Sequence, residues 1–248
     1  AKKREKFDKK SELKVCLPSN PMTLDPRLGS DVSSYRIVEQ VFRFLVQKDT
    51  LSSIVPDMAY SWEMPDDRTY VFHLRKNIRF HNGSELTSED VKYTFETALD
   101  PKFGSPMRYA YKEIEKILIP DKYTVIFKLR KPNAPFLSNA IIGIVPKRIA
   151  EKEGKEFGLH PVGSGPFQFV RWDQDDKIIL KAFDDYYGGK PKIKKIVFRI
   201  IPDATTRLLS VETGEIDFLM NDFPPEYIDR FEENPDLKVM KHIGVIYE

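Results

Sequence analysis

A chain of 248 residues, 41% of them hydrophobic and 12% aromatic, has the material for one large domain or two ordinary ones. Its 40 Lys and Arg nearly cancel 38 Asp and Glu, and a formal net charge of +2 argues against a nucleic-acid partner, which needs a clustered cationic face. One cysteine excludes an intramolecular disulfide and a cysteine-built zinc site, and no apolar run approaches the ~20 residues of a membrane span.

The densest charge run, residues 1–12, reads as a solvated tether in preference to a nucleic-acid or membrane-surface arm. No signal peptide is recognisable, which leaves a cytosolic protein or one whose export signal has been removed. Next comes "LKVCLP", a first strand ending at Pro18, in which Cys16 reads as a small buried residue and not as a nucleophile or a lipid-attachment site. In "DVSSYRIVEQVFRFLV", Ile37, Val41 and Leu45 fall four apart beside Val38 and Phe42. That single apolar stripe predicts a helix capped by Asp31 or Ser33.

From about residue 50 the pattern becomes antiparallel. "SWEMPDDRTYVFHLR" predicts strand, turn, strand, with the turn at Pro65, Asp66 and Asp67. Thr87 and Asp90 form a capping box, with Leu86 and Val91 as its hydrophobic staple, so a helix starts there. "IEKILIPDKYTVIFKLRKP" is a second hairpin, with Val125, Phe127 and Leu129 on one face.

"PVGSGPF", residues 161–167, has the glycines of a phosphate loop without its spacing. One serine separates Gly163 from Gly165, no lysine follows, and a strand rather than a helix comes next. Its role is geometric: glycines supplying backbone freedom between stiffening prolines. "FQFVRW" and "KIILKAF" then make a hairpin joined at residues 173–176. "KIVFRII" is apolar throughout, the mark of a strand buried on both faces. Asp203 caps "ATTRLLSVET", Gly214 stops it, and "EIDFLM" is the next strand, which completes a βαβ unit. A helix with prolines in its first turn, "DFPPEYIDRFEEN", leads to a strand "LKVMK". The last residues, "HIGVIYE", are apolar and in mid-pattern, so the chain reads as the N-terminal portion of something longer.

Little in this chain points to catalysis. His73, His81, His160 and His242 show no spacing of a metal pair, so no metal or cofactor is expected. Glu89 and Asp90 are explained by capping and by the helix dipole. The serine of "VGSGPF" lacks the glycine spacing and strand-to-helix elbow of a hydrolase nucleophile.

Five runs carry a resemblance: "TLDPRLGSD", "PDMAYSWEMPDDRTYVFHLRKNIRFHNGSELTSEDVKYTFE", "PVGSGPFQFVRW", "YYGGKPKIKKIVFRIIPDATTRLLSVETGEIDF" and the stretch around Val245. In this order and with these gaps, the chain resembles the oligopeptide-, dipeptide- and nickel-binding solute receptors of bacterial ABC importers. Family members carry Thr-Gly-Pro-Tyr where this chain has Ser164, Gly165, Pro166 and Phe167, and they are about twice as long. The resemblance implies a type II periplasmic-binding-protein-like α/β lobe with an inserted α+β subdomain, the second lobe being absent. It divides the chain into a lobe at 13–48 and 161–248 and an insert at 49–160. It also implies a non-enzymatic extracytoplasmic receptor, free in the periplasm or membrane-anchored, whose partners are a peptide or other small solute and an ABC transporter permease. A receptor for a nickel chelate or a sugar, a peptide sensor and a chaperone-like binder are the alternatives.

Ligands of open α/β sheets bind outside the carboxyl ends of parallel strands, which selects the loops at 18–32, 202–204 and 221–223. The resemblance narrows the first loop to Ser30, Asp31 and Val32, with Met22 and Thr23 close by. Asn221, Asp222 and Phe223 are expected to face them, and Tyr109 of the insert enters on the family's habit alone. The competing reading makes Asp31 purely a cap and 221–223 an ordinary helix entry.

Overall fold

The computed structural model describes residues 11–220 and 223–241. The first strand, β1 (Glu12–Leu17), is followed by a loop and by α1 (Val32–Val41), whose N-cap Asp31 accepts the Ser34 N–H at 2.8 Å. Ile37, Val38 and Val41 of the apolar stripe are buried, but the helix stops before Leu45. Phe42 is already extended (φ −113, ψ 163). Long-range bonds hold the following residues extended: Asp57 accepts the Phe44 N–H at 3.1 Å, while Met58 and Ala59 donate to the carbonyls of Phe44 and Leu45. Tertiary pairing therefore overrides the helical period.

The middle of the chain runs β2 (Val46–Lys48), β3 (Ile54–Pro56), β4 (Ala59–Asp66), β5 (Thr69–Leu74), α2 (Ser88–Leu99), α3 (Arg108–Tyr111), β6 (Ile114–Asp121), β7 (Thr124–Leu129), α4 (Phe136–Asn139) and α5 (Lys147–Glu153). Four of its strands form an antiparallel sheet in the order β4-β5-β7-β6, and β2 pairs with β3. The first hairpin turns at Asp67 and Arg68, one step later than the sequence suggests. Pro65 stays inside β4 because that strand is an edge, where a missing N–H is tolerated and the register slips between Glu63 and Asp66. The capping box of α2 is present as predicted, with Asp90 accepting the Thr87 N–H at 2.8 Å.

The last part contains β8 (Phe167–Asp173), β9 (Lys177–Ala182), β10 (Lys195–Ile200), α6 (Ala204–Glu212) and α7 (Ile228–Glu233). They build a mixed sheet in the order β1-β10-β9-β8, in which β10 runs parallel to β1 and antiparallel to β9. "EIDFLM" does not form a full strand: Phe218 makes one parallel bridge to Val15. The Lys14 N–H that a further pair would use is donated to the Asp217 carboxylate at 2.7 Å. "LKVMK" forms no strand either. "HIGVIYE", with His242 and Val245, lies outside the described residues.

Two cores result. Leu17, Ile37, Val41, Phe42, Phe157, Ile178, Leu180 and Phe198 pack against the mixed sheet. Tyr70, Phe72, Phe95, Phe127 and Phe136 fill the other, with Phe95 and Phe127 edge to face at 4.8 Å. Leu45 and Val46 belong to the second core, whereas Val145, Ala150 and Phe157 return to the first.

"PVGSGPF" lies where these cores meet, and its glycines act differently from the expectation. Neither has a positive φ. What they provide is closeness: a Cβ on Gly163 would sit 1.9 Å from the Val41 carbonyl oxygen, and one on Gly165 would sit 2.5 Å from that of Gln40. The Gly165 N–H bonds the Val41 carbonyl at 2.8 Å, at the very end of α1. His81 clasps the same loop, accepting the Gly163 N–H at Nδ1 and donating from Nε2 to the Gly165 carbonyl at 3.0 Å.

Candidate functional site

The loop from β1 to α1 is anchored by an ion pair removed from water. Asp25 and Arg27 are both 0% exposed, and their two side-chain contacts measure 2.7 and 3.0 Å. The guanidinium lies 4.5 Å from the centre of the Phe103 ring and 5.6 Å from that of Phe157. Ser105 donates to the Arg27 carbonyl at 2.6 Å, and the Leu24 N–H bonds the Gly158 carbonyl. Two distant segments, at 103–105 and 157–158, thus pin the middle of the loop. Its flanks are free to carry exposed groups.

Asp31 joins those flanks. Besides capping α1, its carboxylate accepts the Met22 N–H at 3.1 Å and the Ser34 hydroxyl. That hydroxyl accepts the Thr23 N–H at 3.3 Å. Met22, Thr23, Ser30, Asp31 and Val32 are therefore brought together in one surface patch. Met22 is 72% exposed and Val32 62%, and Tyr35, one turn into α1, adds a further exposed ring. The backbone here is firmly tied while these apolar side chains stay exposed.

The other sequence-predicted residues are distributed less simply. Tyr109 on α3 is exposed and carries the Lys112 ammonium 3.6 Å over its ring; a hydrogen bond and the charge of Lys112 hold its phenol below the ordinary range. Nearby Met107 lines a small recess with Gly29, Ser34 and Tyr35, which connects α3 to the first loop. Phe223 leans on Phe231, ring centres 5.2 Å apart, in keeping with a helix entry. Asn221 and Asp222 lie outside the described residues. The preceding Met220 is partly exposed, and Arg36 donates to its carbonyl at 2.9 Å, which brings this segment to α1.

Sequence reasoning missed the polar face of α1. Tyr35 and Glu39 are one turn apart, and Arg43 follows just past the helix end. Arg43 bonds Asp57 at 2.8 and 3.1 Å, and Asp57 also accepts the Tyr187 hydroxyl. The four-residue spacing of Tyr35, Glu39 and Arg43 is a readable signal, overshadowed by the apolar stripe on the opposite face. Among the described residues no cluster of three His, Cys, Asp or Glu is placed to hold a metal ion. His73 bonds Glu63, His81 clasps the glycine loop and His160 lies against Phe169.

Comparison with known proteins agrees with the fold. The chain is 29% identical over 237 residues to the oligopeptide-binding protein AppA of Bacillus subtilis, covering 92% of this chain and 43% of that protein. The AppA structure, in complex with a nonapeptide, superposes with a TM-score of 0.86. The periplasmic binding protein DppA of Helicobacter pylori, solved with the peptide STSA, gives 0.83 at 32% identity, covering 90% of this chain and 49% of that one. NikZ of Campylobacter jejuni, solved with Ni(L-His), gives 0.84 at 25% identity, over 91% and 46%. The chain thus spans about half the length of the relatives it matches. The family described as "Bacterial extracellular solute-binding proteins, family 5 Middle" matches residues 53–247. With that match over most of its length, this chain belongs to the family 5 bacterial extracellular solute-binding proteins.

Proposed function

We propose that this chain forms one wall of the cleft of an extracytoplasmic solute receptor, and that the solute is a peptide delivered to an ABC importer permease. The observation that carries the reading is the surface at the carboxyl end of β1, where Met22 on the loop anchored by the Asp25–Arg27 pair and Val32 at the start of α1 stand exposed. Such sheet ends are where open α/β folds bind ligands. The peptide complexes of AppA and DppA support the solute class. In this reading residues 13–48 and 161–248 form the lobe, 49–160 an insert, and 1–12 a tether. The receptor works outside the cytoplasmic membrane, free or anchored to its outer face, and performs no chemistry on its cargo. A solute bridging two walls favours the closed form by binding it more tightly than the open one, and the permease reads the closed form.

Mass spectrometry of solutes copurifying with the full-length protein tests this. Peptides are expected. A stoichiometric nickel chelate or sugar would replace the solute class, and peptides cleaved on incubation would overturn the non-catalytic reading.

A further inference from the structure

Tyr35 and Glu39 stand on the wall of a cavity of about 420 Å³ that follows α1 away from the exposed patch. The volume lies in the range of ~300–1,000 Å³ usual for ligand pockets. Phe44 and Ile141 contribute its apolar surface, and with Tyr35 they also line the recess beside Gly29 and Met107. The two spaces share those three residues. Tyr35, in the same first turn of α1 as Val32, therefore sets one end of the cavity beside the patch.

The charges in this cavity are unequally matched. Arg43 is committed: its guanidinium bonds Asp57, itself 2% exposed, at 2.8 and 3.1 Å, and the Gln47 side-chain oxygen at 2.8 Å. Lys48 lines the cavity but is exposed, where water solvates its ammonium. Glu39 is half-buried and holds a hydrogen bond from the Tyr35 hydroxyl. Burial pushes its carboxyl above the ordinary range, although Tyr35 and the charge of Arg43 pull the other way. A carboxylate desolvated beyond what its partners offset is an acceptor for a cationic donor.

We propose that this cavity is a specificity subsite that takes the cationic side chain, ammonium or guanidinium, of a bound peptide, with Glu39 as the residue that selects it. The inference rests on the peptide-receptor reading and sharpens it: lysine- or arginine-containing peptides are the preferred cargo.

The test is calorimetric titration of the full-length protein with Ala-Lys-Ala, Ala-norleucine-Ala and Ala-Glu-Ala. The wild type is expected to bind the lysine peptide at least about tenfold more tightly than its norleucine counterpart, a factor within reach of one charge-assisted hydrogen bond. Glu39→Gln is expected to abolish that preference, and Glu39→Lys to turn it toward Ala-Glu-Ala. Glu39 is not in either core, so both variants are expected to keep the wild-type melting temperature. Equal binding of the lysine and norleucine peptides by the wild type overturns the subsite and leaves the receptor reading standing. A lysine preference that survives in either variant overturns the role of Glu39. Failure of all three peptides to bind would remove the peptide reading and the subsite with it.

Discussion

Asp31 shows how one residue can serve the fold and also stand in the proposed site. Its carboxylate caps α1 and ties Met22 to Ser34. Asp31→Ala removes every one of those acceptors and is expected to cost about 1–2 kcal/mol, read as a lowered midpoint in urea. Asp31→Asn keeps the cap and is expected to cost less, while weakening any cargo whose free amine approaches that charge. A variant series in which both substitutions leave affinity unchanged would make Asp31 structural alone. His81 makes a different prediction. Burial, against the pull of its bond to the Gly165 carbonyl, lowers its pKa from 6.5 to about 4. Between those values the unfolded chain binds a proton that the folded one refuses, so stability falls as pH drops from about 6.5 to about 4, by about 3 kcal/mol at most. It levels off below that. Urea unfolding of wild type and His81→Gln across this window checks the slope, which the variant is expected to lose in part. Asp31 was legible as a cap because a helix start is written within a few neighbouring residues. His81 was not, because the loop it holds lies 82 and 84 residues further along the chain.

At the scale of elements, local chemistry was readable and tertiary capture was not. The capping box at Thr87 and Asp90 was visible in four letters, yet Asp90 also accepts the Lys147 N–H at 2.9 Å, at the start of α5. Since one carboxylate serves two helix starts, Asp90→Ala is expected to cost about 2 kcal/mol or more, above the usual loss for a single cap. A loss confined to ~1 kcal/mol would show that the α5 contact contributes nothing. The end of α1 is not legible in the sequence because hydrophobic periodicity continues through Leu45 while the backbone turns to pair with residues 57–59. The glycines of "PVGSGPF" are architectural through close approach and not through backbone freedom. Gly163→Ala would drive its Cβ into the Val41 carbonyl, so it is expected to cost about 1–3 kcal/mol or more even though its backbone is unstrained. Likewise the loop anchor could not be foreseen, because Arg27 meets Phe103 and Phe157 only after folding. Arg27→Met leaves Asp25 buried without its partner and is expected to cost about 3–5 kcal/mol, measurable by chemical denaturation.

For the whole molecule, the family was legible because long runs of residues keep their order and spacing, a signal far more specific than any glycine motif. The cargo was less legible. The residues proposed to meet a solute are scattered over a loop, α1 and α3, and each satisfies its local geometry for reasons of its own. The exposed patch around Val32 nevertheless makes the central claim testable. Val32 is the first residue of α1 and is 62% exposed, so a change there leaves both cores intact. The deciding measurement is calorimetric titration of the full-length protein and its Val32→Lys variant with the solute that copurifies with the wild type. The account predicts at least about tenfold weaker binding at an unchanged melting temperature, the size expected when a buried interface position is lost. Equal affinity in the two proteins would contradict it and move the cleft away from the carboxyl end of β1.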